Sequence, residues 1–113
     1  FLFGLSLACK LGVPFIPVRK AGKLPFTIRQ KAYKLEYGEA VIEMHIDAFE
    51  PGQHILIHDD LLAPGGTVTA ASELIYEMGG TIAGFAFIVG LSFLEGKERI
   101  KHISDNIIIL ADY

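Results

Sequence analysis

The stretch His54-Ile-Leu-Ile-His-Asp-Asp-Leu-Leu-Ala-Pro-Gly-Gly-Thr67 constrains this chain more than any other. Ile55-Leu56-Ile57 is a short apolar run rich in β-branched residues, which predicts a buried strand. Asp59 and Asp60 close that strand, and a loop carrying Gly65-Gly66-Thr67 follows. Apolar residues then recur at Ala71, Leu74, Ile75 and Met78, the i, i+3, i+4, i+7 spacing of an amphipathic helix. Strand, glycine loop and helix N-terminus together make a cradle for phosphate. Unpaired backbone N–H groups and the positive end of the helix dipole meet there.

Two carboxylates beside a phosphate present a conflict. An ionised Asp accepts hydrogen bonds and donates none, so its natural partners are hydroxyl donors. A ribose 5-phosphate resolves the conflict, with its phosphate in the glycine loop and its hydroxyls on Asp59 and Asp60; a bare phosphate does not. The P-loop pattern is absent because no Lys follows Gly66, and no GxGxxG occurs. On spacing alone, an acidic strand end followed by an ordinary glycine turn fits equally well.

The chain has 113 residues, enough for one small domain. Its opening at Phe1 is already apolar, and it is expected to lack an N-terminal part. With 51% hydrophobic residues and a mean hydropathy of +0.43, it must bury both faces of a sheet or leave apolar surface for a partner. One cysteine, Cys9, excludes an intrachain disulfide framework and suits a reducing compartment. Its place on the apolar side of the first helix predicts that it is packed. Ile82 to Leu94, the longest apolar stretch, carries glycines and is too short to span a bilayer. Residues 1–35 hold seven bases and no acid, while all thirteen acids lie from Glu36 onward. No aromatic stacking pattern accompanies the bases and the net charge is −3, so a small anionic ligand suits them better than nucleic acid. His58 adjoins the acids, but no His, Cys or acid stands at metal-ligand spacing from it, and no metal site is expected.

In order, Phe1 to Leu11 reads as a helix stopped by Gly12, and Val13 to Val18 as a short strand at a sheet margin, given Pro14 and Pro17. Arg19 to Pro25 reads as a loop. Phe26 to Tyr37 and Glu39 to Ala48 read as two extended arms joined near Gly38. In the second arm, Ile42, Met44 and Ile46 alternate with Glu43, His45 and Asp47, the period of a half-exposed strand. After the Gly79-Gly80 stop come strand Thr81 to Val89, helix Ser92 to His102 and strand Asn106 to Leu110. Such alternation predicts an α/β domain over residues 1–113, its parallel sheet covered by helices on both faces.

The Asp59 to Thr67 run resembles the phosphoribosyl-diphosphate signature of the type I phosphoribosyltransferases, and most of all that of the adenine phosphoribosyltransferases. Arg19-Lys20-x-Gly22-Lys23-Leu24-Pro25, Leu35-Glu36-Tyr37-Gly38 and Asp47-Ala48 are similar to further family landmarks, in the same order. The resemblance implies transfer of a 5-phosphoribosyl group to adenine, giving AMP and diphosphate, by a cytoplasmic homodimer. It implies Arg19 and Lys23 at the diphosphate, with Mg²⁺ held mainly through the substrate's own oxygens. Ala63, Pro64, Gly65, Gly66 and Thr67 would take the 5′-phosphate, Asp59 and Asp60 the ribose, and Leu61 the adenine face. Glu36 would do acid–base work with Tyr37 beside it on a flexible β-arm flap. Pro64 departs from the family's usual Thr, removing a hydroxyl and a backbone N–H. The N-terminal hood that shapes the base pocket is expected to be missing, which would leave this chain inactive alone. A non-catalytic regulator that senses ribose phosphate on the same scaffold is the alternative.

Overall fold

A computed structural model describes residues 3–20, 28–35, 38–62, 66–91 and 96–113. The elements run α1 (Gly4–Leu11), β1 (Arg19–Lys20), β2 (Ile28–Leu35), β3 (Gly38–His45), β4 (His54–Leu62), α2 (Gly66–Glu77), β5 (Thr81–Gly90), α3 (Gly96–Ile100) and β6 (Ile107–Asp112). Among the described residues, β4, β5 and β6 form a parallel sheet in that order, and β1, β3 and β2 form an antiparallel one.

The parallel sheet carries α2 against one face. Ala71, Leu74 and Ile75 of α2 are buried with Ile57 of β4 and with Phe85 and Phe87 of β5. Each large side chain so covered contributes about 1.5–3 kcal/mol, which is what holds this short helix in place. α2 ends at Glu77 and the turn after it passes through Gly79, whose φ of 91° is costly for any residue with a Cβ. Gly80 N–H donates to Ile75 O at 3.0 Å, closing the turn, and the chain enters β5. On the other face, Gly4 of α1 packs beside the His58 ring of β4 and the Phe15 ring.

Several expectations shift. β4 runs two residues past the acids expected to close it, through Leu61 to Leu62. Val13 to Val18 forms no strand among the described residues, although Ile16 and Val18 pack against the core. Pro14 and Pro17 remove two backbone donors there. Arg19 and Lys20, read as loop, pair instead with Glu43 and Ile42 of β3. The last helix ends at Ile100, two residues before the expected His102, and its predicted first residues, 92–95, lie outside the described ones. Cys9 is exposed, not packed, because α1 turns Gly4 and Ala8 inward. Glu43, read as the exposed member of an alternating strand, is fully buried between Ile42 and Met44. β3 is the middle strand of its sheet, so neighbouring strands cover both of its edges.

The β4–β5 register shifts by one residue between Ile55 and Leu56, which pair with Ile82 and Gly84. Ala83 is the extra residue of this bulge. Asn106 braces it, its Nδ2 donating to Ala83 O at 3.1 Å while its own carbonyl accepts from Phe85 N–H at 2.8 Å. A Cβ on Gly84 would lie 2.7 Å from Asn106 O, which is backbone and cannot yield cheaply. Gly84→Ala is therefore expected to cost about 1–3 kcal/mol in urea unfolding. A loss below about 0.5 kcal/mol would show that the β5–β6 junction relaxes freely.

Candidate functional site

The carboxyl end of β4 carries Asp59, Asp60 and Leu61, and the N-terminus of α2 carries Gly66 and Thr67. Asp59 and Asp60 are adjacent in a strand, so the pleat sends their side chains to opposite sides. Asp59 Oδ1 turns back to accept the backbone N–H of Asp60 at 2.8 Å. Both acids are exposed, and Leu61 beside them keeps 46% of its surface exposed, unusual for leucine. This is a platform with two hydrogen-bond acceptors and one apolar face. Gly66 and Thr67 open α2, where the first N–H groups lack intrahelical partners. Ala63, Pro64 and Gly65 lie outside the described residues, as do Lys23, Glu36 and Tyr37.

β2 is fastened to α2 alongside this site. Thr67 Oγ1 donates to Tyr33 Oη at 3.0 Å, and Lys31 Nζ reaches Glu77 at 2.9 Å and Glu73 at 3.5 Å. The hydrogen bond to Glu77 raises the Lys31 ammonium above its ordinary value against some desolvation, and the charges of Glu77 and Glu73 add to it. A raised folded value stabilises below the usual lysine range and fades as pH climbs through the raised one, so these ties persist at neutral pH. Tyr33 packs against the core and sets its hydroxyl at the helix N-terminus. No local signal marks that contact, which joins residues 34 positions apart.

Arg19 sits in β1 directly across from the buried Glu43, which also accepts from Gln30 Nε2 at 3.3 Å. Directly opposed residues of opposite charge stabilise a strand pair, and Arg19 and Glu43 are so opposed at the sheet margin. Among the described residues, no group of His, Cys, Asp and Glu could hold a metal ion. A cavity of about 130 Å³ lies at the carboxyl ends of the parallel strands, lined by Leu62, Gly90, Lys97 and Asp112 among others. It is too small for a nucleotide, since ligand pockets run from about 300 Å³ upward, and it excludes Asp59 and Asp60.

No family model matches the chain. It is 51% identical over 101 residues to the adenine phosphoribosyltransferase of Nitrosococcus oceani, covering 89% of this chain and 59% of that protein. The fold superposes on the crystal structure of adenine phosphoribosyltransferase from Rhodothermus marinus with a TM-score of 0.93 and 44% identity, over 100% of this chain and 64% of that one. The Saccharomyces cerevisiae adenine phosphoribosyltransferase, complexed with an imino-altritol bisphosphate and adenine, gives a TM-score of 0.85 at 38% identity, over 98% of this chain and 60% of that one. The chain thus spans about three fifths of the length of these relatives. With the acid pair, the glycine-led helix and the β2–β3 hairpin arranged as described, and with identity at this level along nearly its whole length, the chain belongs to the adenine phosphoribosyltransferase family.

Proposed function

We propose that the complete protein transfers the 5-phosphoribosyl group from phosphoribosyl diphosphate to N9 of adenine, releasing diphosphate and forming AMP. The observation that carries this reading is the meeting of Asp59, Asp60 and Leu61 with the start of α2 at one end of β4. A sugar bearing a phosphate and two hydroxyls needs donors at one end and acceptors at the other, and this strand end supplies both.

In the transfer, the C1′–O bond to diphosphate breaks as N9 approaches, and C1′ develops oxocarbenium-like charge. Asp59 and Asp60 hold the ribose hydroxyls and fix the ring while the leaving group departs. Arg19, with Lys23, offers the leaving diphosphate a forked donor and a point charge. Mg²⁺, held mainly by the substrate's own oxygens and water, would neutralise part of that polyanion. The exposed carboxylates of Asp59 and Asp60 are open to a cation that arrives on its substrate. Leu61 packs on the purine face. Glu36, with Tyr37 beside it, handles the purine proton, and a flap carrying them excludes water from the activated sugar. Gly65, Gly66 and Thr67 bind the 5′-phosphate, with Ala63 and Pro64 leading into them.

We place the protein in the cytoplasm as a homodimer on the family resemblance. Exposed apolar residues such as Leu5, Leu11, Ile108 and Leu110 supply surface that an assembly would cover. No helix among the described residues is long and apolar enough to cross a membrane. The test is turnover by protein purified from the complete reading frame. AMP is expected from adenine and phosphoribosyl diphosphate with Mg²⁺, whereas turnover of hypoxanthine, guanine or a pyrimidine instead would overturn the adenine assignment. The 113-residue chain alone, which spans about three fifths of its relatives' length, is expected to give little or no AMP.

A further inference from the structure

His58 stands immediately before the two acids, and its ring is held on several sides. Nδ1 lies 3.0 Å from Ala86 O on β5. A carbonyl only accepts, so Nδ1 carries a proton in either charge state and Nε2 is the atom whose proton comes and goes. Nε2 is buried without a hydrogen-bond partner among the described residues. It lies 3.8 Å from Asp60 Oδ1, two residues along on the same side of the strand. Behind the ring, a Cβ on Gly4 would come within 3.4 Å of His58 Cδ2 and 2.8 Å of Phe15 Cε1, so the ring has little room to swing away.

In the neutral ring, Nε2 offers the Asp60 carboxylate no positive charge. In the imidazolium, a positive charge stands at ion-pair distance from Oδ1, 3.8 Å away. The other charged and titratable groups nearby do not compete. Asp59 projects to the opposite side of the strand, and His54 Nδ1 is engaged with Thr81 Oγ1 at 2.6 Å. β5 presents Ala86 to the ring, while α1 and the segment after it present Gly4 and Phe15; Cys9 and Lys10 of α1 are exposed.

We propose that His58 is a positioning residue for Asp60. Protonated at Nε2, it holds the carboxylate in the orientation that receives ribose hydroxyls, and ribose-phosphate ligands bind with uptake of a proton from solvent. The inference rests on Asp60 being a ribose ligand. An ion pair at 3.8 Å leaves the lone pairs of Oδ1 and Oδ2 for the sugar. The arriving phosphate adds negative charge near the ring, so ligand and proton favour each other reciprocally.

The experiment is calorimetric titration of the complete protein with ribose 5-phosphate at pH 7.5 and pH 6. The ligand's own ionisation is common to every variant and cancels in comparison. Wild type is expected to gain about fivefold in affinity over His58→Val on lowering the pH, within the tenfold per unit that one linked proton allows. His58→Asn can still donate to Ala86 O but does not titrate, so it is expected to follow His58→Val. It carries the comparison should the valine variant not fold. Asp60→Asn is expected to weaken ribose 5-phosphate at both pH values by about tenfold or more. Weakening by Asp60→Asn, together with a wild-type pH profile in the His58 variants, would overturn the inference alone. Unchanged affinity in Asp60→Asn would overturn the ribose assignment beneath it.

Discussion

Glu36→Gln in the complete protein is expected to lower kcat by about 10²–10⁴-fold while the KM for phosphoribosyl diphosphate stays within about twofold. The substitution keeps the shape and hydrogen-bonding reach of the side chain and removes its capacity to exchange a proton. If Glu36 handles the purine proton as N9 attacks C1′, its contribution is made in the transition state and not in the ground-state complex, so kcat carries the loss. A carboxylate that served only to hold the hairpin would behave differently, shifting stability or KM and leaving kcat nearly alone. β2 runs to Leu35 and β3 starts at Gly38 in unbroken antiparallel register, so the two strands flanking Glu36 and Tyr37 do not depend on the Glu36 side chain for their pairing. Steady-state kinetics with adenine and phosphoribosyl diphosphate, each varied in turn, checks this. A kcat within about twofold of wild type would make Glu36 a structural residue.

What could be read from the sequence was local. The β4–loop–α2 unit was legible because its signals are contiguous: a β-branched run, two acids, two glycines and a 3.6-residue apolar period. The structure places Asp59, Asp60, Leu61, Gly66 and Thr67 where that pattern puts them, at one strand end and one helix start. The hairpin was legible for the same reason, and its pairing of Leu35 with Gly38 lies where the two arms were expected to join.

The missed features depend on which strand neighbours which, and no period reports that. Glu43 alternates with apolar residues as a surface residue would, yet β3 lies between β1 and β2 and the carboxylate is buried against Gln30. Arg19 and Lys20 read as loop because the two-residue strand they form exists only through its partner β3. His58 was set aside because it lacks metal-ligand neighbours in sequence, while the carbonyl that holds its ring belongs to Ala86, 28 residues away. In each case a tertiary neighbour overrode a reading that was sound for the local segment.

The site's geometry depends in turn on the packing beneath it, and Phe85→Ala is the substitution expected to disturb that packing most. Phe85 is fully buried at the middle of β5, paired in register with Ile57 of β4 and Ile107 of β6. Its ring lies nearly parallel to that of Phe87, the centroids 6.2 Å apart and the planes 9° apart, and both rings pack into the cluster formed with α2. Truncation removes a whole ring from a site enclosed by two strand neighbours and a helix, so little can move in to fill it. The expected cost is about 3–5 kcal/mol, cavity term included, with part of it from the lost ring–ring contact. Domains of this size are stable by only about 5–15 kcal/mol, so the variant should sit near the edge of folding at 37 °C. Phe85→Leu keeps much of the volume and is expected to cost about 1–1.5 kcal/mol. Urea unfolding followed by far-ultraviolet circular dichroism separates these, with the denaturant slope unchanged in both variants. A loss below about 1.5 kcal/mol for Phe85→Ala would mean that α2 settles onto the sheet, and the N-terminus of α2 would then shift relative to Asp59 and Asp60.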